Sequence, residues 1–247
     1  MIKKEFILIL EGSQQIAPSV KHFTFRREDG EACSFIPGQF ITLHIPASEK
    51  VLRRSYSIAN STHEASVKIE FAASYVPEGT ASDLLFTMQL GDKVTATGPF
   101  GRLTLRNERP GRYIFVATGT GVTPYRTMLS ELVHRFKQNP YFKVILLFGV
   151  RGPNDLLYRD EFVSFAEKNP WFEFRAYYSR VQPETRLFYE NEGYVLAAFS
   201  VIDPDSKQDI VYLCGNPNMV DDVFSLLTNS YGFPSEIIRR EKYISSN

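Results

Sequence analysis

Gly119 and Gly121 stand between a run of apolar residues and a helical stripe. Tyr113 to Ala117 are apolar without alternation, the pattern of a strand covered on both faces. Pro124 then suits the first turn of a helix, where its missing N–H costs nothing. Tyr125, Met128, Leu129, Leu132 and Phe136 follow at helical spacing. A glycine turn between strand and helix lets backbone N–H groups approach an anion, and the helix dipole favours negative charge there. Thr118, Gly119, Thr120 and Gly121 are therefore a candidate dinucleotide phosphate site. The usual fingerprint carries a third glycine where this chain has Pro124, so the turn alone does not name its ligand. A second strand-to-helix turn, Cys214-Gly-Asn-Pro217, offers Asn216 as N-cap and Pro217 as first helical residue.

These residues need elements to hold them, and the chain supplies two kinds. Up to about residue 105 the pattern is β. Glu5–Glu11, Val20–Arg27, Gln39–Ile45, Ser55–Ala59, Val67–Ala73 and Lys93–Thr97 are short runs rich in Ile, Val, Phe and Thr, parted by turn residues. Strands at this spacing predict a small antiparallel barrel or sandwich, with one short helix over Thr80–Gln89. The polar stretch Arg106–Gly111 marks the domain boundary. Beyond it strands and helices alternate: Tyr113–Ala117, the helix from Pro124, Val144–Val150, a helix near Tyr158–Glu167, Phe172–Tyr178, Ile210–Cys214 and the helix from Pro217. That alternation predicts a doubly wound parallel sheet, whose ligands bind beyond the carboxyl ends of the strands. Thr118–Thr123, Arg151, Ser179-Arg180 and Gly215–Asn218 all fall at such ends.

Composition excludes several other functions. Formal net charge is zero, so no global field argues for nucleic acid or an anionic membrane. The two cysteines, Cys33 and Cys214, form no disulfide framework and no iron–sulfur or zinc motif. His22, His44, His63 and His134 show no metal-ligand spacing, and no metal site is expected. No apolar run reaches the roughly 18–20 residues of a membrane span. A cytoplasmic chain acting as a monomer is the expectation.

Six motifs, in order and split across the two halves, resemble the ferredoxin/flavodoxin–NADP⁺ reductase family in its bacterial form. Arg54-Ser-Tyr-Ser57 is similar to its R-x-Y-S flavin motif, and Gly79-Thr-Ala-Ser82 to its second flavin element. Gly98-Pro-Phe-Gly101 resembles the turn ending its barrel. Thr118–Pro124 resembles its nicotinamide-nucleotide loop, in which the proline is expected. Cys214-Gly-Asn-Pro217 is similar to its C-G-x-P motif, and Glu241-Lys-Tyr243 to its C-terminal E-x-aromatic. The likeness spans essentially the whole chain. It implies a six-stranded antiparallel FAD-binding β-barrel over residues 1–108 and a doubly wound parallel α/β NADP(H)-binding domain over 109–247.

It also implies roles. Arg54 would pair with the flavin pyrophosphate, Tyr56 lie against the isoalloxazine and Ser57 bond its N5. Tyr56 and Ser57 point to opposite faces of a regular strand, so both reach one ring only if the strand bends or the ring lies across its end. Gly79 and Ser82 would hold flavin phosphates. Gly119, Gly121 and Gly215 would admit the pyridine nucleotide. Arg151, Ser179, Arg180 and Arg186 would surround its adenosine half, where arginine without an accompanying acid favours NADPH. Cys214 would sit near nicotinamide C4, and Glu241 would hold the nicotinamide or relay a proton. Tyr243 would cover the flavin face, or the tail Ile244–Asn247 would reach toward the adenine. Hydride transfer between nicotinamide C4 and flavin N5 would require the rings about 3–3.5 Å apart. Single electrons would then pass to a separate ferredoxin or flavodoxin, docked at basic pairs such as Lys3-Lys4, Arg53-Arg54 and Arg239-Arg240. Two alternatives share the motifs: a reductase component of an oxygenase (or a free-flavin or ferric reductase), and a non-catalytic nucleotide-binding subunit.

Overall fold

The computed structural model describes residues 5–47, 50–61, 66–106 and 110–243. Within it the chain forms two compact units. Among the described residues, one holds the chain up to Leu105 together with Thr123–Val133; the other holds Arg106–Val122 and the chain from His134 to Tyr243.

The first unit is built on strands β1 (Glu5–Ala17), β2 (Val20–Arg27), β3 (Phe40–Pro46), β4 (Val51–Ser57), β5 (Lys68–Ser74) and β6 (Lys93–Phe100), with helix α1 (Thr80–Thr87) after β5. All pairings are antiparallel, in the order β4-β3-β6-β1-β2-β5. Alternation sorts each strand: Phe6, Leu8 and Leu10 of β1 point inward while their neighbours face water. Phe23, Phe25 and Phe71 fill the interior, with the Phe25 and Phe71 rings stacked at 5.4 Å. The two sheet edges meet just past β4. Ile58 bridges Phe71, and the Ala59 N–H donates to the Glu70 carbonyl at 2.7 Å. Closure removes the open edges that a free sheet would expose.

The second unit contains β7 (Arg112–Thr118), β8 (Lys143–Val150), β9 (Phe172–Tyr178), β10 (Glu190–Glu192), β11 (Asp209–Gly215) and β12 (Ile238–Lys242). Its helices are the C-terminal part of α2 (Thr123–Gln138), then α3 (Arg159–Lys168), α4 (Phe199–Ile202) and α5 (Pro217–Ser230). Every strand pairing is parallel, in the order β10-β9-β8-β7-β11-β12. Strand order reverses between β7 and β11, which opens a crevice at their carboxyl ends. Both faces of β7 and β11 are covered, hence the unbroken apolar runs. Ile114, Val116 and Leu213 pack with Phe199, Val220, Val223 and Leu227. Phe115 and Tyr212 meet edge to face on the other side at 5.3 Å.

The antiparallel unit followed by a parallel α/β unit agrees with the sequence reading, but boundaries differ. The fourth strand is Val51–Ser57 rather than Ser55–Ala59, because antiparallel pairing with β3 recruits the charged Arg53 and Arg54. Two strands went unforeseen. Both β10 and β12 are edge strands dominated by polar residues, so neither shows a hydrophobic period. No described helix is long and apolar enough to cross a membrane, and no described group of His, Cys, Asp or Glu could hold a metal ion.

One buried ion pair ties the base of the parallel sheet. Arg112 donates to Asp209 at 3.0 and 2.5 Å and to the Ile202 carbonyl at 2.9 Å, and the Asp209 side chain is 2% exposed. Arg112→Met leaves that carboxylate buried without its partner. The expected cost is about 3 kcal/mol, seen as a lower urea midpoint at unchanged slope.

Candidate functional site

In the first unit, β4 brings the Arg54–Ser57 motif to a sheet edge. Leu52, Arg54 and Tyr56 share the face opposite Ile45, Leu43 and Ile41 of β3. The Tyr56 ring stacks on Phe71 at 4.8 Å, and burial pushes its hydroxyl pKa up to about 12, opposed by the nearby Arg54. Tyr56 is thus partly a core residue, held rigid by the ring beneath it. Arg54 is half-buried, and its Nη1 donates to the Arg53 carbonyl at 3.1 Å. Ser57 is buried and ends the strand, the point at which the chain leaves the ladder.

The Gly79–Ser82 segment starts α1. No side chain caps this helix, so its first-turn N–H groups are not taken by a cap. Gly79 is sterically required: a Cβ there would meet Ser82 Oγ and the Val76 carbonyl at 2.9 Å. The buried Ser82 hydroxyl lies 2.8 Å from the Val76 carbonyl and 2.9 Å from the Gly79 carbonyl, to which its hydrogen is donated. Ser82 therefore braces the turn, and an anion here would be met by backbone N–H groups. An uncapped helix start and the half-buried Arg54 guanidinium on β4 are groups that could hold a flavin diphosphate.

In the second unit, the two turns predicted from sequence interlock backbone to backbone. β7 ends at Thr118, and Gly119 (φ +53°) opens a 3-10 turn to Val122. A Cβ on Gly121 would lie 2.3 Å from the Cys214 carbonyl oxygen. A Cβ on Gly215, whose φ is +127°, would lie 2.5 Å from the Thr118 carbonyl. The Asn216 N–H donates to Thr118 Oγ1 at 2.8 Å, and Asn216 Oδ1 caps α5 by accepting from Asn218 N–H at 2.9 Å. Tyr243 N–H donates to the Gly215 carbonyl at 2.8 Å, which fixes the end of β12 to the same knot. Thr120 is half-buried beside it. The glycines leave a cradle at the switch point where a dinucleotide backbone fits.

Cys214, Glu241 and Tyr243 gather at this knot. Cys214 is paired in register with Ala117 on one side and Glu241 on the other. Burial, and then the Glu241 charge, drive the thiol pKa well above its ordinary value, against a hydrogen bond from Tyr243. Cys214 is thus a neutral, compact side chain and not a nucleophile. Burial alone pushes the Glu241 carboxyl up to about 7. Lys242 does not neutralise it, because that ammonium pairs with Asp221 at 2.7 Å.

The adenosine-side residues divide. Arg180 is exposed at the end of β9, and its side chain has no hydrogen bond or ion pair among the described residues. Ser179 is turned inward, its hydroxyl donating to the Val150 carbonyl at 3.2 Å. Arg186 is paired with Glu192 at 2.5 Å. Arg151 faces Asp155 at 3.4 Å, so one acid stands near the end of β8. Of the basic pairs, Arg239 is 8% exposed and cannot belong to a docking surface: β12 turns it inward. Arg53 and Arg240 are exposed, whereas Lys3-Lys4, His63 and the tail Ile244–Asn247 lie outside the described residues.

Comparison with known proteins decides the family. Residues 8–105 match the oxidoreductase FAD-binding domain, and residues 115–224 match the oxidoreductase NAD-binding domain. Ferredoxin–NADP reductase B of Sorangium cellulosum is 31% identical over 98% of this chain and 100% of its own length. The chain belongs to the ferredoxin–NADP reductase family. It is an FAD- and NAD(P)-binding oxidoreductase. The propane 2-monooxygenase reductase component of Rhodococcus jostii is 32% identical over 85% of this chain, which spans only 56% of that relative. A cytochrome P450 reductase from Amycolatopsis superposes with TM-score 0.83 at 28% identity, over 97% of this chain and 69% of that one. The Neisseria gonorrhoeae ferredoxin NADP⁺ reductase with bound FAD and NADP shares the fold, with TM-score 0.77 at 22% identity over 97% and 98% of the two chains.

Two measurements check this site. Gly215→Ala combines a strained φ with a backbone clash, so it should lower the thermal midpoint and weaken nucleotide binding at least about tenfold; wild-type values for both would contradict the interlock. The second uses pH. The Glu241 carboxyl ionises near 4.5 when unfolded and near 7 when folded. Between those values the folded state holds the extra proton, so stability falls as pH rises. Glu241→Gln should abolish about 2–3 kcal/mol of that fall, and denaturation curves across the window measure it.

Proposed function

We propose that this oxidoreductase passes reducing equivalents between NADP(H) and a separate ferredoxin or flavodoxin through FAD. In this reading residues 1–108 form the FAD-binding domain and 109–247 the nucleotide-binding domain. The observation that carries it is the end-to-end likeness to a ferredoxin–NADP reductase. The bound flavin would supply hydride acceptance and one-electron release, chemistry that no side chain here offers. The protein's own residues bind and orient. Arg54 and the open start of α1 hold the diphosphate, Tyr56 presents a fixed ring and Ser57 a hydroxyl at the strand end. Thr118–Gly121 and Gly215 take the nucleotide backbone. Cys214 stays protonated and small, which keeps charge and bulk away from the nicotinamide. Glu241, poised near neutrality, bonds the carboxamide or exchanges a proton with solvent. Tyr243 flanks the same position.

Preference for NADP(H) rests on Arg180. A guanidinium with no partner among the described residues is available to clamp a 2′-phosphate through two oxygens. Arg186 and Arg151 are committed to Glu192 and Asp155 and contribute less. The exposed Arg53 and Arg240 are the described cations that would face an acidic carrier. A second reading, a reductase component of an oxygenase working with NADH, is favoured by Asp155 near the end of β8 and by the Rhodococcus relative.

Anaerobic titration separates the two. NADPH should bleach the flavin at lower concentration than NADH, and added ferredoxin or flavodoxin should reoxidise it. Preferential bleaching by NADH, with transfer only to an oxygenase, would install the second reading. Arg180→Ala should raise KM for NADPH about tenfold or more while leaving KM for NADH nearly unchanged. Equal effects on both would remove the 2′-phosphate assignment.

A further inference from the structure

Arg126 and Thr127, consecutive residues on α2, hold the segment Ile58–Ala59 that directly follows the Arg54–Ser57 motif. β4 ends at Ser57, and β3 pairing stops with Phe40 opposite Ser57. Beyond that point the backbone depends on isolated bonds. Ile58 N–H donates to the Gln39 carbonyl at 3.0 Å, and Ala59 N–H to the Glu70 carbonyl at 2.7 Å. The Ala59 carbonyl accepts from the Arg126 guanidinium. Thr127 acts from the other side. Its Oγ1 accepts from Gly38 N–H at 3.1 Å and donates to the Pro124 carbonyl at 2.8 Å. It therefore fixes the loop whose next residue, Gln39, holds Ile58.

The support behind these bonds is built rather than incidental. Arg126 also reaches Glu70 at 3.4 Å, and Glu70 faces His22 at 3.4 Å. Burial raises the Glu70 carboxyl pKa, but His22 and Arg126 together outweigh this and hold it below its ordinary value. Asn60 closes the turn by accepting from Glu70 N–H and donating to the Lys68 carbonyl, both at 3.0 Å. Gly38 has no room for a side chain, because a Cβ would fall 2.0 Å from the Leu103 carbonyl. A charge-assisted bond inside a half-buried network is stronger and more directional than a neutral one.

We propose that Arg126 and Thr127 are positioning residues for the flavin site: they fix where Ser57 and the end of β4 stand, and so set FAD affinity and the environment of the bound ring. The proposal rests on the reading of Arg54–Ser57 as the flavin motif. Neither residue has been placed in contact with cofactor or nucleotide.

Apoprotein titrations with FAD test it, together with apoprotein melting curves and the visible spectrum of the reconstituted protein. Arg126→Met and Thr127→Val should each weaken FAD binding about tenfold, the scale of one lost hydrogen bond to a charged or fixed group, and shift the flavin absorption bands. Arg126→Lys, which can still reach one carbonyl, should recover part of the affinity. Thr127→Val leaves no buried charge unpaired and should melt within a few degrees of wild type, so it serves if Arg126→Met does not fold. The double variant Arg126→Met with Glu70→Gln removes the orphaned carboxylate. Restored melting with FAD binding still weak supports positioning, whereas restored FAD binding would reduce Arg126 to charge balance. FAD affinity and spectrum unchanged in both Arg126→Met and Thr127→Val would overturn the proposal. A wild-type protein that binds no FAD would instead overturn the flavin reading beneath it.

Discussion

The interlocked backbone of two loops is the constraint on which the rest of the parallel unit depends. Thr118–Gly121 and Cys214–Gly215 approach so closely that neither Gly121 nor Gly215 has room for a methyl group. Close-packed backbone needs its polar groups answered, and here they answer one another: Thr118 Oγ1 takes the Asn216 N–H, and the Gly215 carbonyl takes the Tyr243 N–H. Once the loops are locked, the ends of β7, β11 and β12 share one fixed frame. The helix that follows the second loop then starts in a set direction, α5 behind Asn216 and Pro217. The conformational cost of the two glycines in the unfolded chain is offset by a cradle that only glycine can line.

The same frame explains the electrostatics at the knot. β11 is buried along its whole length, so Cys214 cannot ionise cheaply, and its neighbour in register, Glu241, is also deprived of water. Two acids that would otherwise repel are both kept neutral at modestly acid pH, and only the carboxyl crosses its midpoint near neutrality. Tyr243 adds a hydroxyl without charge. The fold thus gives the ends of β11 and β12 a polar surface with one carboxyl that changes charge near neutral pH.

Much of this was legible in the chain. Thr118–Pro124 and Cys214–Pro217 declared themselves because turn chemistry is local: glycine, N-cap and proline each solve a problem within a few residues. The barrel core was readable from alternation, as at Phe6, Leu8 and Leu10. What stayed hidden depended on pairing at a distance. β12 carries Ile-Arg-Arg-Glu-Lys, and nothing in those five residues signals a strand until β11 lies beside them. Arg239 read as surface charge for the same reason. Arg126 is not among the residues the sequence singles out, although it sits two residues past Pro124; its partners, Ala59 and Glu70, lie more than fifty residues away. Tyr56 was placed against a cofactor by motif, and its stacking on Phe71 could not be read from either strand alone.

Under the proposed function, nucleotide choice would follow from which arginines already have partners. Arg151, Arg180 and Arg186 are equivalent as letters in a sequence. In the fold, Asp155 and Glu192 occupy two of them, and each ion pair must be broken before its arginine can serve a ligand phosphate. Exposed pairs of this kind are worth roughly 0–1 kcal/mol, so the penalty is modest and the two arginines remain recruitable. Among the described residues, Arg180 has no such pair to break. Discrimination between NADPH and NADH is a difference between two affinities, and in the proposed function one guanidinium would tilt it by adding attraction for a 2′-phosphate while leaving a 2′-hydroxyl nearly indifferent. Rejection of NADH would need an opposing feature, a cation desolvated by the wrong ligand, and an exposed arginine stays hydrated either way. Under the proposed function, this arrangement would give a preference for NADPH over strict exclusion of NADH.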